Sequence, residues 1–279
     1  MAAEHRRRLL LGAAVWALAP IVPGAAGARV AATSRSALIL GNARYPGAAL
    51  KNAGKDAQLM HAVAGELGFS STLLLDSDLM RMIEEVQRWL AASSASTTRL
   101  LYYAGHGAQY RGRNYLIPVD AELRSEDDLP GRALDVDGIT DRLSRLATGV
   151  NLLVLDACRS APMLRPPPGS RQRTGAARAP APGLAALQAP RGTLVAYATA
   201  PGALAADDPA ADHSPYTRHL AAQMRLPGVP IETVFKRTRA AVLHETRGTQ
   251  VPWETSSLVG ELCLAGAAAP ACGPAGAGR

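Results

Sequence analysis

A chain of 279 residues is long enough for one sizeable α/β domain with its own core, or for two small ones. The formal net charge of +7 invites a nucleic-acid reading, but residues 1–28 carry +2 and residues 159–191 carry +6, which leaves the remainder at −1. The basic excess therefore lies in one terminal segment and one Pro/Arg-rich stretch rather than on a folded face, which argues against phosphate-backbone binding.

Residues 1–28 read as a signal peptide: Arg6, Arg7 and Arg8 precede an apolar run from Leu9 to about Val22, and Ala26-Gly27-Ala28 fits a small-residue cleavage site. The competing reading, a membrane anchor, is weakened by the shortness of the run and by Pro20 and Pro23. Export by the Sec or the twin-arginine route is expected. The mature protein would then be periplasmic or secreted, with no stable membrane span.

From Ser36 onward, apolar runs alternate with helical patterns. "ALILGN", "STLLLD", "TRLLYYAGHG", "VNLLVLDACRS" and "GTLVAYATA" read as buried strands, and "RNYLIPVD" as a short extended piece. "NAGKDAQLMHAVAGELG" carries Leu59, Val63 and Leu67 at helical spacing and stops at Gly68. "DLMRMIEEVQRWLAAS" places Met82, Ile83, Val86 and Leu90 on one face, and "DVDGITDRLSRLA", "SPYTRHLAAQM" and "IETVFKRTRAAVLHET" complete the helices. "WETSSLVGELCL" is a last strand-like stretch. Such alternation predicts an α/β fold with a mostly parallel central sheet of about six strands, covered by helices on both faces. Residues 160–190, rich in Pro, Gly and Arg, read as an exposed linker between a large portion, 29–159, and a small portion, 191–264; residues 265–279 read as a disordered tail.

Two strands end in chemistry-bearing residues: Gly105-His106-Gly107 closes one, and Asp156-Ala157-Cys158-Arg159 another. In open α/β sheets ligands collect at the carboxyl ends of strands. If the two strands are neighbours, imidazole and thiol face each other there and suit nucleophilic catalysis. Taken singly, each residue is more simply a structural one, and both glycines are equally consistent with turns needing positive φ. Of the three cysteines, Cys263 and Cys272 could pair in an oxidising compartment, leaving Cys158 as the odd thiol. The other histidines, His61, His213, His219 and His244, show no metal-ligand spacing and read as surface or packing residues. A nucleotide- or flavin-binding domain is disfavoured, because no Gly-rich phosphate loop opens a helix after the first strand.

"YYAGHG" followed 52 residues later by "LDACRS" resembles the caspase-like cysteine peptidases, in particular their bacterial members near the metacaspases. The resemblance runs from about Ser36 to Leu264 and takes in "GNARYPGAALKNAGKDAQLM", "GRNYLIPVDA", "SPYT", "VFKRTRAAV" and "QVPWETSSL". It implies a caspase-like fold and a cysteine endopeptidase, with His106 as general base and acid and Cys158 as nucleophile. The backbone N–H groups of Cys158 and Gly107 would hold the oxyanion. The resemblance also places Asp156, and Asp56 from the first helix, in a pocket for a basic P1 side chain. A carboxylate two residues before the nucleophile would repel acidic side chains and pair with Arg or Lys. For Asp56 the simpler alternative is an acid favoured at a helix N-terminus. An Arg-specific enzyme could cut its own linker at Arg165, Arg171, Arg173 or Arg178. Calcium, often needed by metacaspases, is not expected: Asp120, Asp135 and Asp137 lie upstream, but no acid follows Cys158 in "RSAPMLRPPP". No cofactor is expected, and the partner is a peptide or protein substrate. The rival from another class is a catalytically silent caspase-like domain serving as a peptide-binding or assembly module.

Overall fold

The computed structural model describes residues 34–146, 148–158, 184–200 and 211–266, with Cys158 in its backbone only. The expected signal peptide, most of the 160–190 linker and the tail beyond 266 lie outside these residues.

One sheet organises the described chain. Its strands are β1 (Arg35–Gly41), β2 (Phe69–Leu75), β3 (Thr98–Tyr110), β6 (Val150–Cys158), β7 (Thr193–Tyr197) and β8 (Trp253–Ser256), in the order β2-β1-β3-β6-β7-β8. All neighbours are parallel except β7 and β8. The short β4 (Arg113–Leu116) and β5 (Leu134–Asp135) form an antiparallel annex on the end of β3.

The central strands are apolar throughout because both of their faces are covered. On one face Ile39, Tyr102, Val154 and Ala196 pack against α1 (Ala53–Glu66), α5 (Pro215–Met224) and α6 (Ile231–Glu245), through Met60, Val63, Leu220 and Phe235. On the other, Leu40, Tyr103, Leu155 and Tyr197 pack against α2 (Leu79–Ala92) and α4 (Val136–Ser144), through Met82, Val86, Trp89 and Ile139. A single turn, α3 (Leu129–Arg132), adds Leu129 to a third cluster around Tyr45, Tyr115 and Ile117. No helix among the described residues is long and apolar enough to cross a membrane.

Two expectations change. β3 does not stop at Gly-His-Gly: it leaves β1 after Ala104 and β6 after His106, and pairs with β4 from Gly107 to Tyr110. The hairpin turns on Arg111 and Gly112, both at positive φ (50° and 79°), the geometry that suits the twist of antiparallel strands. Nor is the expected linker exposed to its end. Leu184 and Leu187 are buried, Asn114 accepts from the Ala185 N–H (2.6 Å) and donates to its carbonyl (3.1 Å), and the Leu187 N–H donates to Tyr197 Oη. Two leucines with a large apolar area to bury outweigh the composition around them. Among the described residues the packed second portion takes in Leu184 and Leu187, and it reaches past Leu264, since the Ala265 carbonyl accepts from Gly228 N–H.

Candidate active site

The parallel register of β3 and β6 sets His106 directly opposite Cys158 as Cα partners. Adjacent strands lie ~4.8 Å apart, so the two residues share the sheet edge at which β3 changes partners.

The loop after β1 holds the histidine. His106 is buried, at 3% exposure, and its Nε2 lies 2.7 Å from the Ala48 carbonyl. A carbonyl only accepts, so Nε2 carries the proton and Nδ1 is the basic nitrogen. The Tyr45 ring rests against the imidazole, with centroids 4.5 Å apart and planes tilted by 56°. Tyr45 Oη accepts the His106 backbone N–H (3.0 Å) and donates to the Ile117 carbonyl (3.0 Å), while Tyr103 Oη donates to the His106 carbonyl (2.6 Å). Burial raises the Tyr45 pKa well above that of an ordinary phenol, so its hydroxyl stays protonated. Asp76, at the end of β2, fixes the loop in turn by accepting the N–H groups of Ala43 and Arg44 and the Arg44 side chain. Burial works against the Asp76 charge, but those donors together outweigh it and hold the carboxyl below its usual range.

The two glycines have different reasons. A Cβ on Gly105 would stand 2.5 Å from Tyr103 Oη and 2.7 Å from Tyr45 Oη. The tyrosine pair that anchors His106 therefore needs glycine beside it. Gly107 has no positive φ, contrary to the turn alternative; a Cβ there would press on Leu184 and on Ala157 at 3.1 and 3.2 Å.

The two candidate pocket acids are brought together as well. Asp156, two residues before Cys158, continues the face of Leu152 and Val154 and is 8% exposed. Its Oδ2 accepts from Ser214 Oγ (2.6 Å) and Thr217 Oγ1 (2.7 Å), and Thr217 Oγ1 also contacts Tyr102 Oη. Asp56, in the first turn of α1 and 2% exposed, accepts the Ser214 backbone N–H on both oxygens, at 3.1 and 3.2 Å. His213 Nδ1 lies 3.0 Å from Asp56 Oδ1, so His213 is not the plain surface or packing residue expected from the sequence. Burial and the nearby carboxylates keep the Tyr102 phenol protonated.

The other acids serve elsewhere. Asp135 caps α4 through the Asp137 N–H and pairs with Arg113, Asp137 accepts the Asn114 N–H, and Asp120 accepts the Leu79 N–H. Among the described residues there is no group of three His, Cys, Asp or Glu side chains that could hold a metal ion. Cys263 is in a disulfide.

A mostly parallel α/β sheet that sets a histidine against a cysteine on neighbouring strands, at the edge where the parallel pairing ends, defines a caspase-like domain. The family model described as "Caspase domain" matches residues 34–263, and the chain belongs to that family, a family of cysteine peptidases. Among solved structures, caspase-1 from Spodoptera frugiperda is similar, with a TM-score of 0.61, 18% identity, and 84% of this chain and 91% of that one covered. Among curated proteins, mucosa-associated lymphoid tissue lymphoma translocation protein 1 of Homo sapiens and its Mus musculus homolog are each 33% identical over 131 residues. That match covers 46% of this chain and only 15% of the length of either relative.

Tyr45, Ala48, Ser214, Thr217 and Tyr102 escaped the sequence reading. Only Ser214 carried a signal of its own: Ser-Pro before a helical pattern marks an N-cap, and Ser214 does cap α5 by accepting the Thr217 N–H.

Proposed function

We propose that this protein is an exported cysteine endopeptidase that cleaves after Arg or Lys, with Cys158 as nucleophile and His106 as its proton partner. The observation that carries the reading is the registry of His106 with Cys158, on a histidine whose Nε2 proton is committed to the Ala48 carbonyl. His106 Nδ1 takes the thiol proton, and the thiolate sulfur attacks the scissile carbonyl carbon. The backbone N–H groups of Cys158 and Gly107 receive the developing oxyanion, each such donor contributing about 10²–10³ in rate. Collapse of the tetrahedral intermediate breaks the C–N bond, and the Nδ1 proton passes to the leaving amine. Water then adds to the thioester with His106 as base, and the acid product leaves as the thiol is restored.

Asp156 and Asp56 support the choice of a basic P1 residue, because both carboxylates are buried, Asp156 stands two residues before the nucleophile, and Ser214 bonds to both. Export rests on the residue 1–28 pattern, and the disulfide at Cys263 is in keeping with an oxidising compartment. Self-processing would fall on the arginines of 160–183, upstream of the packed Leu184.

The test is hydrolysis of Arg-, Lys- and Asp-terminated fluorogenic peptides by the mature protein, with and without calcium and reductant. Cleavage of the basic peptides, abolished in Cys158→Ala, supports the reading. Equal cleavage of the Asp-terminated peptide overturns the pocket assignment, and no cleavage at all favours the silent binding module. An uncut linker in both wild type and Cys158→Ala on prolonged incubation overturns self-processing.

A further inference from the structure

Asp56 and Asp156 arrive from different elements, α1 and β6, and two carboxylates held close repel each other. One residue at the N-terminus of α5 bonds to both. The Ser214 N–H donates to both oxygens of Asp56, and its hydroxyl donates to Asp156 Oδ2 at 2.6 Å. The same hydroxyl oxygen accepts the Thr217 N–H at 3.0 Å, which fixes its orientation and leaves its one proton for Asp156. Ser214 is 5% exposed and Thr217 fully buried, so neither bond is exchanged for bulk water.

We propose that Ser214 is a specificity-determining positioning residue, which locks Asp56 and Asp156 into one two-carboxylate seat for a guanidinium. The inference rests on the reading of these two aspartates as pocket acids. The chemical reason is that arginine presents five N–H donors in a rigid plane, whereas lysine presents a compact charge that adapts to one carboxylate. A planar fork profits from two carboxylates only if their separation and orientation are fixed. Locking the pair therefore favours Arg over Lys. The Ser214 hydroxyl acts through Asp156 rather than on the reacting atoms, so its loss acts on KM and leaves kcat near wild type.

Ser214→Gly removes the hydroxyl but keeps the N–H that holds Asp56, and glycine is itself a good N-cap. Ser214→Thr restores the hydroxyl. On full-length protein, kcat and KM are measured with matched Arg- and Lys-terminated peptides, and a thermal melt follows folding. The expected result is that KM for the Arg peptide rises about tenfold in Ser214→Gly, the cost of one hydrogen bond to a charged group. The Arg-to-Lys preference falls with it, and both return in Ser214→Thr. Unchanged KM and preference in a folded Ser214→Gly, with a wild type that does prefer basic peptides, overturn the role of Ser214 alone. A wild type indifferent to P1 charge overturns the pocket reading and this inference with it. If Ser214→Gly does not fold, the Ser214→Thr enzyme decides: a loss of Arg preference with the hydroxyl retained refutes the lock.

Discussion

Gly105→Ala is the substitution that tests how the histidine is held. The added Cβ would lie 2.5 Å from Tyr103 Oη, 2.7 Å from Tyr103 Cζ and 2.7 Å from Tyr45 Oη, so these atoms must retreat by about half an ångström or more. Neither ring has room, since Tyr103 and Tyr45 are 0% and 2% exposed. Overpacking of this kind costs about 1–3 kcal/mol. Displacing the hydroxyls also weakens the bonds to the His106 carbonyl and N–H, at 2.6 and 3.0 Å, each contributing about 1 kcal/mol. We expect a loss of about 3 kcal/mol in urea unfolding, and a fall in kcat that exceeds any rise in KM, because the imidazole rather than the pocket is disturbed. Gly54→Ala is the control: its Cβ would meet nothing nearer than 3.8 Å, in a helix where alanine is preferred, and it should be neutral or stabilise by up to about 1 kcal/mol. A Gly105→Ala protein within about 0.5 kcal/mol of wild type and with unaltered kcat would refute the argument, since substitutions without such a clash fall in that range.

Asp76→Asn should flatten the acid limb of stability. The folded pKa of Asp76 lies below its ordinary value, so its contribution is complete above that value and is lost as pH falls through the folded one. Thermal melts from pH 6 down to about pH 2 should therefore show a shallower decline in the variant, and parallel curves would contradict this. Arg99→Met tests the buried arginine, fully enclosed and donating to the Ser93, Ser94 and Thr148 carbonyls at 2.7, 2.9 and 2.9 Å. Leaving those carbonyls without a donor should cost about 3–5 kcal/mol in chemical denaturation. Asn114→Ala removes both bonds to Ala185, so amide exchange at Ala185 and Leu187 should accelerate at least about tenfold while β6 amides stay protected.

The sheet was legible in the sequence because strands buried on both faces leave unbroken apolar runs, and β3 and β6 are such runs. The His106–Cys158 pairing followed from the usual adjacency of consecutive strands. The continuation of β3 was less visible, although Ala108 and Tyr110 alternate with Gln109 and a two-residue Arg-Gly turn follows, which is a hairpin pattern. Glycines on both sides of His106 read as a terminus, whereas the structure uses them for close approach. Leu184 and Leu187 were hidden by averaging over thirty residues of Pro, Gly and Arg. The Ser214 bridge lay beyond reach because it is tertiary: neither Asp56 nor Asp156 announces which helix end will fall between them.

The two halves of the site share one short piece of chain. Residues 42–56 begin at Asn42, whose amide donates to the Ile117 carbonyl, supply Tyr45 and Ala48 to His106, and end in α1 with Asp56. The tether at Asp76 holds Ala43 and Arg44, a few residues before the Ala48 contact to His106 and on the same stretch that leads into α1 and Asp56. A shift of α1 along the sheet would move Asp56 against Ser214 and Ala48 against His106 at once. Under the proposed mechanism, recognition of a basic side chain and orientation of the proton carrier would thus be mechanically linked. Substitutions that loosen this loop should lower kcat and raise KM together, whereas a change at Ser214, on the far side of the acid pair, should move KM alone.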